Sequence, residues 1–130
     1  MAAEPKTILV IEDDPEFRQL AVHILKRAGY RVHTAENGSR GLEEARRLVP
    51  DLILLDIEMP VMDGYAVCQA IRSDPAVGRV PIVLVTVHSK VRQIAEGLRL
   101  GADDHVTKPF DPADLLLRVE SALRGRSPEA

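Results

Sequence analysis

The sequence predicts an α/β fold, a single parallel sheet of five strands covered by helices on both faces. Three observations carry that prediction. The runs Ile8-Leu9-Val10-Ile11, Leu52-Ile53-Leu54-Leu55 and Ile82-Val83-Leu84-Val85 are continuously apolar, as strands buried on both faces must be; a strand with one wet face would alternate. Segments with apolar residues at helical spacing lie between the runs. The two kinds of segment alternate along the whole chain without internal repeat, which calls for right-handed crossovers between parallel strands.

The first strand, Ile8 to Ile11, runs into Glu12-Asp13-Asp14-Pro15, where Pro15 suits a first helical position with Asp14 as its N-cap. Phe17, Leu20, Ala21, Ile24, Leu25 and Ala28 then recur on one helical face until Gly29 supplies a stop. Tyr30 to Thr34 mixes Val32 with Arg31 and His33, the composition of a short, partly exposed edge strand. Leu42, Ala45, Leu48 and Val49 mark a second helix from Gly38, ended by Pro50. The third strand follows, and the Asp63-Gly64 turn leads to a helix with Ala66, Val67, Ala70 and Ile71 on its stripe.

A loop from Ser73 to Arg79 precedes the fourth strand, which ends at Thr86. Val91, Ile94, Ala95 and Leu98 predict the next helix, closed near Gly101. His105-Val106-Thr107 is a short strand before Lys108-Pro109, and Leu115, Leu116, Val119, Ala122 and Leu123 carry the last helix. The three most apolar strands belong in the middle, leaving the second and fifth at the edges. That is the doubly wound, flavodoxin-like order 2-1-3-4-5. Residues 1–124 read as one domain, and 125–130, without periodicity, as a flexible tail or the start of a linker.

Composition narrows the function. A net charge of -3 with no Lys/Arg run disfavours direct nucleic-acid binding. The absence of Trp, with two Tyr and two Phe, leaves little to stack on bases or flavins. Cys68 is the only cysteine and cannot form an internal disulfide, which suits a reducing compartment. The apolar runs are strand-sized and no signal-peptide core follows Met1, so the sequence reads as soluble and cytoplasmic, with no membrane partner.

In an open parallel sheet, functional groups gather beyond the carboxyl ends of the strands. Here the first strand ends at Asp13 and Asp14, the third at Asp56, the fourth at Thr86 and the fifth at Lys108. Singly, these are a helix cap, a turn acid, a strand-end hydroxyl and a surface lysine. Together they crowd three acids at adjacent central strands. Two like charges about 4 Å apart cost on the order of 4 kcal/mol at an effective dielectric near 20. Hard oxygen donors without His or Cys suit Mg²⁺. A metal-bound carboxylate beside a lysine and a hydroxyl points to phosphoryl transfer, with Asp56 as nucleophile and the Asp13/Asp14 pair holding the metal.

Glu12-Asp13-Asp14, Asp56 with Met59-Pro60-Val61-Met62-Asp63-Gly64, Thr86, and Lys108-Pro109-Phe110 closely resemble the receiver domain of two-component response regulators, the chemotaxis-regulator-like kind included. The resemblance spans about residues 6 to 124. It implies a phosphorylatable signalling domain rather than an enzyme in its own right, assisting only its own phosphotransfer and dephosphorylation. A histidine kinase or histidine phosphotransfer protein would donate to Asp56. Mg²⁺ would be held by the Asp14 and Asp56 side chains and the Glu58 backbone carbonyl, with Asp13 acting through water. Thr86 and Lys108 would each bind a phosphoryl oxygen, and Lys108-Pro109 is expected to be cis.

By the same resemblance, Thr86, His105 and Pro109 form the switch. The output surface is then the fourth helix, fifth strand and fifth helix, roughly Val91 to Leu100 and His105 to Leu123. It would face a downstream protein or an attached output domain, and a dimer through it is allowed. His105 stands where the family commonly has Tyr or Phe, and Val87 where it has Ala or Gly. Glu58 and His88 flank the path of attacking water. The chain could stand alone or be a module of a longer regulator or hybrid kinase. An Mg-dependent aspartyl-phosphate phosphohydrolase of the haloacid dehalogenase type would want a second Asp where this chain has Glu58.

Overall fold

The computed structural model describes residues 4–87 and 99–125. Its strands are β1 (Thr7–Ile11), β2 (Arg31–Ala35), β3 (Leu52–Asp56), β4 (Ile82–Val87) and β5 (Asp104–Lys108). All pair in parallel, in the order β2-β1-β3-β4-β5. The helices α1 (Pro15–Arg27), α2 (Gly38–Leu48) and α3 (Gly64–Arg72) follow the first three strands, and a C-terminal helix runs over Pro112–Gly125. The predicted fold class and strand order are therefore those observed. The predicted helix of Val91, Ile94, Ala95 and Leu98, along with His88, lies outside the described residues.

Period-two alternation divides the strands between two cores. Leu9, Ile11, Ile53, Leu55, Ile82 and Leu84 point to the face that packs with Leu42 and Ala45 of α2 and with Val67 and Ile71 of α3. Ile8, Val10, Leu52, Leu54, Val83, Val85 and Val106 point to the other, against Ala21, Ile24 and Leu25 of α1 and Leu115 and Val119 of the C-terminal helix. Every residue of β3 is buried, which explains the absence of polar alternation there. β2 and β5, at the edges, carry the mixed patterns.

Asp14, Asn37 and Asp63 cap α1, α2 and α3, each side chain accepting from a backbone N–H of the first turn. Each loop after β1, β2 and β3 thus closes on a cap, and short loops hold the strand ends firmly. Two local boundaries differ from the sequence reading. β2 is shifted one residue toward Ala35, which is buried and pairs with Ile11. The stop of α2 is Val49 itself, in the left-handed region at φ 44°. Proline at 50 disfavours helical backbone in the residue before it, and an exposed Val49 side chain accepts the conformation at some cost.

Gly64 starts α3 directly against the end of β3. Its N–H donates to the Ile57 carbonyl at 2.9 Å, and a Cβ there would collide with the Asp56 carbonyl oxygen and sit 2.7 Å from the Ile57 Cα. Both obstacles are backbone and cannot rotate away. Gly64→Ala is expected to cost about 1–3 kcal/mol through overpacking, read as a lower urea midpoint at unchanged m-value; a midpoint equal to that of the parent protein would refute this reading of the turn.

Candidate functional site

The alternation that fills the cores also assembles the polar site. Ile8 and Val10 face α1, and the next residue in that stripe is Glu12; Leu52 and Leu54 face the same way, and the next is Asp56. On β5 the stripe passes from Val106 to Lys108. Where the apolar stripe ends, three ionisable groups from β1, β3 and β5 therefore converge. Glu12 and Asp56 are each 2% exposed. Glu12, Asp13 and Asp56 bring carboxylate oxygens to within 4.8 Å of one another.

The Lys108 ammonium compensates this charge. Its Nζ lies 3.0 Å from Glu12 Oε1 and 3.4 Å from Asp56 Oδ2. It also sits 4.5 Å from the ring centroid of Phe17. Asp56 Oδ1 accepts from the Glu58 N–H at 3.2 Å, and Glu12 Oε2 from the Asp14 N–H at 3.2 Å. Arg18 on α1 turns back over the acidic loop, Nη1 donating to the carbonyls of Glu12 at 2.9 Å and Asp13 at 3.4 Å.

Burial pushes the Asp56 carboxyl up to about 8, helped by the hydrogen bond its proton donates to Glu12 and by the Glu12 charge; Lys108 and the Glu58 N–H pull the other way without prevailing. For Lys108, burial favours the neutral amine, but the hydrogen bond to Glu12 and the charges of Asp56 and Glu12 outweigh it, so its pKa is raised. The lysine stays an ammonium. One central carboxyl holds a proton until a cation or a higher pH removes it.

The other predicted residues are placed as follows. Thr86 is the penultimate residue of β4, 1% exposed, its hydroxyl donating only weakly to the Val87 carbonyl at 3.4 Å. Val87 pairs with Lys108 across β4 and β5. Lys108-Pro109 is cis, as the resemblance implied. His105 is on β5, outside the acid cluster; its backbone N–H donates to Asp104 Oδ1 at 2.8 Å, and its Nδ1 is 3.7 Å from the same oxygen. Glu58 is exposed.

Asp14 stands apart from the converging acids. Its side chain accepts from the Glu16 N–H at 2.9 Å as the cap of α1, and it is not part of the carboxylate cluster. Glu12 takes the place the sequence reading gave to it. The signal was available: a stripe Ile8, Val10, Glu12 matches Leu52, Leu54, Asp56, whereas Asp14 follows the strand end and precedes a proline. Phe17 was read only as a helix residue and Arg18 was not singled out, because their contacts join elements far apart in sequence.

The family model for the response regulator receiver domain matches residues 8–120. The chain belongs to that family. The receiver is 41% identical over 125 residues to the DNA-binding dual master transcriptional regulator RpaA of Synechocystis, covering 95% of this chain and 52% of that protein. It spans about half the length of the curated relatives it matches. Among solved structures it is similar to the chemotaxis protein CheY4 of Vibrio cholerae, with TM-score 0.86 and 32% identity over 91% of this chain and 98% of that one. It is also similar to the receiver domain of a sensor histidine kinase from Pseudomonas aeruginosa PAO1, solved with a magnesium ion in its active site cleft. That match has TM-score 0.85 and 31% identity over 92% of this chain and 98% of that one.

The raised Asp56 carboxyl makes stability depend on pH in a definite direction. A folded value near 8 lies above the unfolded value of 3.8, so the folded state holds a proton that the unfolded state has already lost. Stability from this group is then full at low pH and declines as pH rises from about 4 to about 8. Asp56→Asn removes the decline. In chelator, Asp56→Asn should gain stability relative to the parent protein as pH rises from 5 to 8, by up to about 1.4 kcal/mol per pH unit. Denaturation midpoints across that range check it; a gap that does not change with pH contradicts it.

Proposed function

We propose that this receiver accepts a phosphoryl group on Asp56 from a histidine kinase or histidine phosphotransfer protein. The observation that supports it most directly is the buried Asp56 carboxyl, set between two further carboxylates and the Lys108 ammonium at the carboxyl end of the sheet. An Asp56 oxygen attacks phosphorus as the bond to the donor imidazole nitrogen breaks, giving an acyl phosphate and a free imidazole. Lys108 and Thr86 offer donors to the phosphoryl oxygens. Lys108 neutralises charge from one side, and the lightly held Thr86 hydroxyl is free to turn toward the new group.

The donor set of Glu12, Asp13 and Asp56 is all hard oxygen, without His or Cys, and fits Mg²⁺. The Glu58 backbone carbonyl completes the proposed set. Bound there, Mg²⁺ would neutralise phosphoryl charge and hold Asp56 in its ionised form. The receiver's own residues then do the remaining work of orienting the phosphoryl group and limiting its hydrolysis.

Signalling needs a difference between two states. Moving an equilibrium from 1:99 to 99:1 takes about 5.5 kcal/mol. Two charge-assisted hydrogen bonds from Thr86 and Lys108 would supply roughly 3 to 6 kcal/mol, the right scale. The output would pass through β5 and the C-terminal helix, with His105 and Pro109 as switch residues, to a separate partner or an attached domain. The relatives' greater length fits a receiver that is one module of a longer regulator. No helix among the described residues is long and apolar enough to cross a membrane, which fits a cytoplasmic setting.

Intact-mass measurement after incubation with Mg²⁺ and acetyl phosphate should show one added phosphoryl group, absent in Asp56→Asn. A folded parent protein that gains no mass sinks the proposal. For the metal, saturating Mg²⁺ at about 100 times its Kd should stabilise the protein by about 2.7 kcal/mol. Asp13→Asn should lose most of that response, whereas Asp14→Asn, which keeps a good cap, should retain it. The reverse pattern in melting temperatures would restore Asp14 as the ligand.

A further inference from the structure

Phe17 lies in the first turns of α1, half-buried against the core on the C-terminal-helix side of the sheet. Two residues of a single tripeptide, Lys108-Pro109-Phe110, close on it. The Lys108 Nζ sits 4.5 Å from its ring centroid. The Phe110 ring meets it edge to face, centroids 5.6 Å apart and planes at 88°. Phe110 is buried, so the edge-to-face contact fixes the plane of the Phe17 ring and thereby which way its face looks.

The ammonium has three N–H donors. Glu12 and Asp56 accept from it at 3.0 and 3.4 Å, and the Phe17 ring lies 4.5 Å away on the α1 side. A cation on an aromatic face, shielded from water, is attracted by the ring quadrupole. The same ring blocks Lys108 from swinging out toward α1.

We propose that Phe17 is a positioning residue for phosphoryl transfer, holding the Lys108 ammonium against Asp56 through its ring face. The inference rests on Asp56 as phosphoacceptor. Phe17 acts through Lys108, the charged group its ring meets. An aliphatic side chain of similar bulk would keep the core filled but would not hold the cation.

The test compares Phe17→Leu, which keeps apolar volume, with Phe17→Tyr, which keeps the ring. In ¹³C-lysine-labelled protein, the Lys108 side-chain protons, assigned by their loss in Lys108→Arg, should resonate upfield of those of Lys6 and Lys26 because of the ring current. Phe17→Leu should erase that displacement and slow acetyl phosphate loading roughly two- to thirtyfold, the range a cation–π contact spans. Phe17→Tyr should retain both the displacement and the rate. Lys108 signals unmoved in Phe17→Leu, or loading slowed equally in both variants, would overturn the proposal. Should the parent protein take no phosphoryl group, the functional reading itself falls, and the Lys108 signals alone decide the contact.

Discussion

The contact between the Lys108 ammonium and the carboxylates of Glu12 and Asp56 is the interaction on which the rest of the site depends. Two acids that are almost completely buried cannot remain as bare anions beside each other, since desolvation and mutual repulsion both oppose it. One lysine at 3.0 and 3.4 Å offsets part of that charge. It does not offset all of it, as the raised Asp56 carboxyl shows. The remaining imbalance would favour a second cation. Cutting the lysine would leave buried acids without a partner, the situation in which breaking an ion pair is most damaging.

The sheet exists in this form to bring those groups together. No local segment could do so, because Glu12, Asp56 and Lys108 are separated by dozens of residues. Parallel pairing places the ends of β1, β3, β4 and β5 along one edge, and the two cores hold the strands rigid up to the last apolar residue. Caps at Asp14 and Asp63 then turn the chain away within a few residues. At the opposite side of this turn, Gly64 lets α3 begin in contact with the β3 backbone. The site is therefore a property of strand ends, and its rigidity is that of the core.

This explains what could be read in the sequence. The continuous apolar runs fixed the strands and their central or edge status, because two-sided burial leaves an unmistakable pattern in β3 and β4. Asp56 and Thr86 were legible because each directly follows such a run, and Lys108 because it closes the short fifth strand before a proline. Asp14 was read with Asp13 because adjacent acids look alike by proximity, whereas Glu12 directly continues the β1 stripe of Ile8 and Val10 and Asp14 lies beyond the strand end as the cap of α1. The turn at Val49 was illegible for another reason. A valine in left-handed backbone contradicts local preference, and only the packing of α2 against β1 and the proline that follows impose it. Phe17 and Arg18 carry no local signal either, because their roles arise from chain segments that meet only in the fold.

A carboxyl with a pKa near 8 at first sight makes a poor nucleophile for phosphoryl transfer. The difficulty disappears once the proton is compared with the cation it competes with. Burial penalises any isolated charge on Asp56, but it strengthens the attraction of that charge to a divalent ion in the same low-dielectric pocket. The factor that keeps Asp56 neutral in the bare protein therefore also favours the anion once Mg²⁺ is bound, and binding near neutral pH must release a proton. On the proposed reading, nucleophile and metal are in this way coupled by one electrostatic constraint: Asp56 would become fully reactive only once the cation that neutralises the incoming phosphoryl group is in place.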